Sequence, residues 1–192
     1  MVKLDKIYTR GGDSGETSLG DGARAPKHAP RIVAQGEIDE ANAAIGLASA
    51  DAGGELHDIL ARVQNDMFDL GADICMPGAD PGDGRLRIQP AQIAALEQII
   101  DRLTERLQPL NSFVLRGGSA LAARLHFACT VVRRAERAAV ALHADTAINP
   151  QALAYLNRLS DLLFVMARIA NDDGRADVLW RPGAGARGSS RD

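Results

Sequence analysis

From Ile32 onward the chain alternates long stretches in which apolar residues recur at three-to-four spacing with short stretches rich in glycine and proline. Ile32, Val33, Ile38, Ala41, Ile45 and Leu47 predict an amphipathic helix ending before Gly53-Gly54. Leu56, Ile59, Leu60, Val63, Met67, Phe68 and Leu70 predict a second, stopping at Pro77-Gly78. A third starts near Gln89-Pro90, where proline suits the first turn, and carries Ile93, Leu96, Ile99, Ile100, Leu103 and Leu107 before Pro109. The fourth follows the N-cap candidate Ser119 and aligns Leu121, Leu125, Ala128, Val132, Ala135, Ala139 and Leu142 up to about His143. The fifth starts at Asn149-Pro150 and carries Leu153, Leu156, Leu159, Leu163, Met166 and Ala170, ending near Asn171. Strand signals are weak, and Val178-Leu179-Trp180 is too short to found a sheet. The expected fold class is therefore all-α, a five-helix bundle.

The remaining segments are irregular. Gly11, Gly12, Gly15, Gly20 and Gly22, closed by Pro26 and Pro30, predict a loop over about residues 1–29, because glycine loses backbone entropy in a helix and proline lacks a donor. Gly78 to Gly84 reads as a turn-rich linker, and the glycine-rich end after Trp180 as a disordered tail. At 192 residues, 46% hydrophobic, one core is the better expectation. The net charge of −3 gives no basic excess for nucleic acid, so any anion site must be local. No apolar run suits a signal peptide or a membrane span, and Cys75 and Cys129 form no CxxC pair, which together suggest a reduced, cytoplasmic setting.

Two separated clusters carry phosphate-type chemistry. Thr9-Arg10-Gly11-Gly12-Asp13-Ser14-Gly15-Glu16-Thr17 offers backbone N–H groups and hydroxyls, with Lys27 as a mobile charge, yet matches neither a Walker loop nor a dinucleotide fingerprint. A solvent-facing leader is the alternative. On the fourth helix, positions 129, 133 and 137 project from one side beside Glu136, and arginine forks grip phosphate oxygens well. The other reading is a solvated face laced with ion pairs, the one expected of Arg134. Asn157, Arg158 and Asp161 interrupt the apolar surface of the fifth helix, as a ligand site or an interhelical polar network. Asp39 and Asn42 form a similar notch in the first helix, where Asp39 meets either an arginine of another helix or solvent. Phe113 precedes a glycine pair and is either a core plug or a wedge against a flat cofactor. The dispersed His28, His57, His126 and His143 predict no protein metal site.

The words IYTRGGDSGETSLGDG, GEIDEANAAIG, RVQNDMFDLGADI, FVLRGGS, TVVRRAER, YLNRLSDLLFVMAR and DVLWRPG stand in this order between Ile7 and Pro182. With them the chain resembles the PduO-type ATP:cob(I)alamin adenosyltransferases over almost its whole length. The resemblance implies a five-helix bundle assembled as a homotrimer, with active sites between subunits. It implies transfer of the 5'-deoxyadenosyl group of ATP to the cobalt of cob(I)alamin, giving adenosylcobalamin and triphosphate. Residues 1–29 become an ATP-binding segment, 30–174 the bundle domain and 175–192 a C-terminal segment. Thr9, Arg10, Gly11, Gly12, Asp13, Gly15, Thr17 and Lys27 are expected to fold over ATP, usually with Mg2+, and Arg133, Glu136, Arg137 and Asn157 to complete its contacts. Phe113 is expected under the corrin, displacing the lower ligand, with Asp39 organising the corrin side. A cob(II)alamin reductase and an adenosylcobalamin-dependent mutase are the partners implied, with no nucleic acid and no membrane.

Three positions depart from the family pattern. Arg116 replaces the proline of FxLPGG. Cys129 replaces the first arginine of RTVxRRAER, the usual ionic partner of the aspartate represented by Asp39, and Gly11 replaces the threonine of TRTGD. Arg116 is expected to replace part of the lost charge. These departures keep open a second reading, a nucleotide- or cobalamin-binding carrier or regulator that has lost turnover.

Overall fold

The computed structural model describes residues 7–76, 78 and 84–183. Five helices carry the fold: α1 (Pro30–Ser49), α2 (Gly54–Cys75), α3 (Pro90–Thr104), α4 (Ala120–Asp145) and α5 (Pro150–Ala170). Their boundaries follow local chemistry. The Ser119 side chain accepts from the Ala122 N–H at 3.1 Å and starts α4, while Asn149 Oδ1 accepts from Gln151 N–H at 3.1 Å and starts α5. At α3 Gln89 and Gln92 form a reciprocal capping box, and Pro90 occupies the first turn, where its missing N–H costs nothing. The third helix ends at Thr104, short of the expected Leu107, yet Leu107 is buried through the turn that follows.

The core is one continuous cluster. Its side chains include Ile38, Ile45, Leu60, Met67, Leu125, Val132, Leu156, Leu159 and Leu163, and α4 packs most extensively against α5 and α1. Alanines at 34, 41, 44, 48, 128, 135 and 139 are buried, so these helices approach closely. Three residues read as part of the apolar stripes, Val33, Leu47 and Phe68, face solvent instead. Helical spacing marks a stripe wider than the one the core uses.

A buried polar hub ties the start of α3 to α2 and α5. Asp73 Oδ1 accepts from Arg87 at 2.8 Å, and Asp73 Oδ2 from Ile88 N–H at 2.8 Å and Asn149 Nδ2 at 2.7 Å. Each carboxylate oxygen is thus matched, as burial requires. Tyr155, also buried, donates to Asp66 at 3.0 Å, and burial beside that carboxylate pushes its phenol well above the usual range.

The N-terminal segment departs from the loop expectation. Glu16–Ser18 (β1) and Arg24–Pro26 (β2) pair antiparallel, with Thr17 opposite Ala25. The hairpin closes through Leu19 N–H to Ala23 O at 2.8 Å. Strands this short and largely exposed carry no alternation of apolar and polar residues, so the turn sets the register. At the other end Val114 and Leu179 form an isolated bridge, consistent with a segment too short to found a sheet. Of the expected linker at 78–84, residues 79–83 lie outside the described residues, as does the part of the expected tail after Trp180 that lies beyond 183. No described helix is long and apolar enough to cross a membrane, and Cys75 and Cys129 are both free thiols.

Candidate active site

Three surfaces and one cavity hold the candidate residues. The first is the glycine-rich turn. Arg10 adopts φ 61°, a conformation uncommon outside glycine, and Gly15 φ 87°. The turn is fixed by Asp13 N–H to Arg10 O at 3.2 Å, Gly15 N–H to Gly12 O at 3.1 Å and Lys27 N–H to Gly15 O at 2.8 Å. Lys27 lies across Gly12, its Nζ only 3.1 Å from where a β-carbon would stand. Glycine at 12 therefore admits a cation directly over the turn. Arg24 braces the same loop from behind, donating to Gly11 O at 2.6 Å and Ser18 Oγ at 3.2 Å. Thr9, Asp13 and Lys27 remain exposed.

The second surface is formed by α4 and α5. Asn157 Nδ2 donates to Glu136 Oε1 at 3.0 Å, joining the two helices, and Arg137 donates to the Arg133 carbonyl at 2.9 Å. Arg134, one residue away, behaves as a structural ion: it pairs with Glu37 and Glu40 of α1. Arg133 and Arg137 have no carboxylate partner among the described residues, and both are exposed. Arg158 and Asp161, the other polar residues of α5, pair at 3.5 Å while Arg158 reaches Glu97 at 2.9 Å. The row thus separates into arginines neutralised within the fold and arginines with no carboxylate partner among the described residues.

The third surface is the loop carrying Phe113. Its ring is 77% exposed and meets Trp180 edge-on, with centroids 5.9 Å apart. The backbone is held from two sides. Trp180 N–H donates to Phe113 O at 2.7 Å and Leu115 N–H to Val178 O at 2.8 Å. Asn171 accepts from Ser119 N–H at 2.9 Å and donates to Gly117 O at 3.2 Å. Gly118 has φ 110°, and a β-carbon there would fall 2.1 Å from Asn171 Oδ1, so this close approach requires glycine. Phe113 is thus a supported, outward-facing ring and not a core plug. Trp180 and Asn171 were not singled out from sequence, because their partners lie far along the chain.

Asp39 meets no arginine among the described residues; its carboxylate is exposed on the wall of a 670 Å³ cavity. Thr17, Asn42, Met67, Phe68 and Cys75 share that wall. Asn42 is buried and its Oδ1 has no partner. Gly20 N–H reaches Cys75 Sγ at 3.1 Å, so the hairpin is seated on the end of α2. Within one chain the glycine turn and the α4 arginines are not joined: no hydrogen bond of residues 9–27 reaches α4 or α5 among the described residues.

The motifs and the fold agree with comparison to known proteins. The family model described as cobalamin adenosyltransferase matches residues 7–170. The chain belongs to the cobalamin adenosyltransferase family. It is 50% identical to the corrinoid adenosyltransferase of Mycobacterium tuberculosis, covering 95% of this chain and 96% of that one. It is 44% identical to the cobalamin adenosyltransferase of Cupriavidus metallidurans, covering 93% and 96%. A variant PduO-type ATP:corrinoid adenosyltransferase from Lactobacillus reuteri, solved with cobalamin and ATP, superposes with a TM-score of 0.84 at 36% identity, over 92% of this chain and 99% of that one. Another variant of it, complexed with ATP, gives the same TM-score at 37% identity, covering 92% and 100%.

Proposed function

We propose that this chain transfers the 5'-deoxyadenosyl group of ATP to the cobalt of cob(I)alamin, releasing adenosylcobalamin and inorganic triphosphate. The observation that carries the reading is the set Arg133, Glu136, Arg137 and Asn157, in which two arginines without carboxylate partners flank a carboxylate–amide pair. Two planar cations at one helical spacing grip a polyphosphate, and Glu136 with Asn157 suits the hydroxyls and ring edge of a nucleoside. In this reading residues 1–29 are the ATP-binding segment. Backbone groups of Gly11, Gly12 and Gly15 and the side chains of Thr9, Arg10, Asp13, Thr17 and Lys27 fold over the triphosphate.

The reaction asks the protein for placement and charge control. Cob(I)alamin is itself the nucleophile, so no side chain has to act as a base. Arg133, Arg137 and Lys27 neutralise the charge that builds on the leaving triphosphate as C5' is attacked. Among the described residues no three His, Cys, Asp or Glu converge on a metal position. A Mg2+ ion accompanying ATP would add to that neutralisation, with Glu136 the carboxylate beside the arginines that would hold the phosphates. Phe113, exposed and braced by Trp180, presses on the lower face of the corrin and excludes the axial ligand and water. Losing that electron donation makes cob(II)alamin easier to reduce. Asp39 orders the corrin side.

The glycine turn and the α4 row belong to one site when chains assemble, and the homotrimer expected from the resemblance brings one chain's turn to its neighbour's arginines. The setting is cytoplasmic, with a cob(II)alamin reductase upstream and an adenosylcobalamin-dependent mutase downstream. Incubating the protein with ATP and chemically reduced cobalamin tests the reading. The absorption spectrum of the alkylated cofactor and stoichiometric triphosphate are expected. Binding of both ligands with neither product would instead make the protein a carrier or regulator.

A further inference from the structure

Arg116 and Cys129, two of the departures from the family pattern that the resemblance implies, are brought together by the fold. The Arg116 guanidinium lies over the Phe164 ring of α5, 5.4 Å from its centroid. Its Nη1 is 3.3 Å from His126 Nδ1 and 3.9 Å from Cys129 Sγ, both on α4. Arginine only donates, so His126 Nδ1 accepts and the ring proton sits on Nε2, which is buried without a partner. Burial and the adjacent guanidinium hold His126 below its ordinary value, in keeping with a neutral acceptor. Cys129 is buried, and its thiol donates to Ser160 O at 3.2 Å. Burial pushes that thiol upward, so it stays neutral beside the arginine.

We propose that Arg116 is a positioning residue that seats the Phe113 loop on α4 and α5, and that Arg116 and Cys129 form a matched pair. In the related motif a proline ring stiffens the loop at this position. Here the backbone has no such restraint, and a side chain supplies it by stacking on Phe164 and bonding to His126. The seat exists because residue 129 is short. Cys129 is buried with its Sγ 3.9 Å from the Arg116 guanidinium, so an arginine at 129 would bring a second cation beside that charge. Restoring the family residue at 129 alone should therefore harm this protein, and should help only once Arg116 has been removed. The role in turnover rests on the adenosyltransferase reading; the seating of the loop does not.

A four-protein cycle tests it: wild type, Arg116→Ala, Cys129→Arg and the double variant. Trp180 is the single tryptophan of the chain and is hydrogen-bonded to Phe113, so acrylamide quenching of its emission reports the loop without any substrate. Each single variant is expected to raise the quenching constant about twofold and the corrinoid KM about tenfold, leaving the KM for ATP within about twofold, while the double variant lies closer to wild type than either single one. Additive effects of the two substitutions, or quenching and corrinoid KM unchanged in Arg116→Ala, would overturn the proposal. A wild-type protein that makes no adenosylcobalamin would refute the proposed activity, and the quenching cycle would still decide the pair.

Discussion

The Asp73 hub and the row of Arg133 and Arg137 use the same charged chemistry in opposite ways. Around Asp73 both carboxylate oxygens are taken, by Arg87, Ile88 N–H and Asn149. Along the α4 row, two guanidiniums face outward without a carboxylate, while the arginine between them, Arg134, is held by Glu37 and Glu40. The first arrangement costs desolvation and is recovered only by complete pairing, so it serves the fold. The second leaves charge uncompensated where water can still solvate it, which suits a partner that arrives and leaves. The difference between an arginine held by the fold and one proposed to hold a ligand is thus read from its partners and not from its place in the motif.

The hub should show the largest effect. Asp73→Ala removes the buried carboxylate that accepts from Arg87, Ile88 N–H and Asn149 together, and should cost about 3–5 kcal/mol of unfolding free energy in a urea titration. Its activity per folded molecule should be kept. Next comes the Phe113 loop, where Gly118→Ala forces a positive φ on alanine and drives its β-carbon into Asn171. About 2–4 kcal/mol of stability should be lost, and the KM for the corrinoid should rise more than that for ATP in steady-state assays. A loss of ATP affinity alone would blur the distinction between the loop and the phosphate row.

The smallest effect concerns pH. Unfolded His126 takes up a proton as pH falls through its ordinary value of 6.5, whereas the buried ring beside Arg116 resists protonation. Below that value the unfolded state binds more protons, so stability is present above it and is lost as pH falls toward the folded value. Thermal melts between about pH 7.5 and about pH 5.5 should show a falling Tm in wild type and a shallower fall in His126→Asn.

Legibility in the sequence followed how local the signal was. The five helices were readable because period, proline and caps all lie within a few residues of one another, as at Ser119, Asn149 and Gln89-Pro90. The hairpin was not, because Glu16–Ser18 and Arg24–Pro26 bury no alternating face. The residues of the α4 row are visible as a motif, and Arg134 as its ion-paired member, but the partners Glu37 and Glu40 come from a helix about a hundred residues away and leave no local signal. Of the two partners the sequence allows Asp39, an arginine or solvent, solvent is what it meets in one chain. The position of Arg116 against Cys129 follows from the way a loop turns back onto α4, which no periodicity records.

The direct test of the account is calorimetric titration of ATP into wild type, Arg133→Ala and Arg134→Ala under one buffer and salt condition. Arg133→Ala should bind ATP about a hundredfold more weakly and Arg134→Ala within about twofold of wild type, since one arginine is free for phosphate and the other is held by α1. Equal affinities in the two variants would contradict the assignment of the unpaired row to the triphosphate.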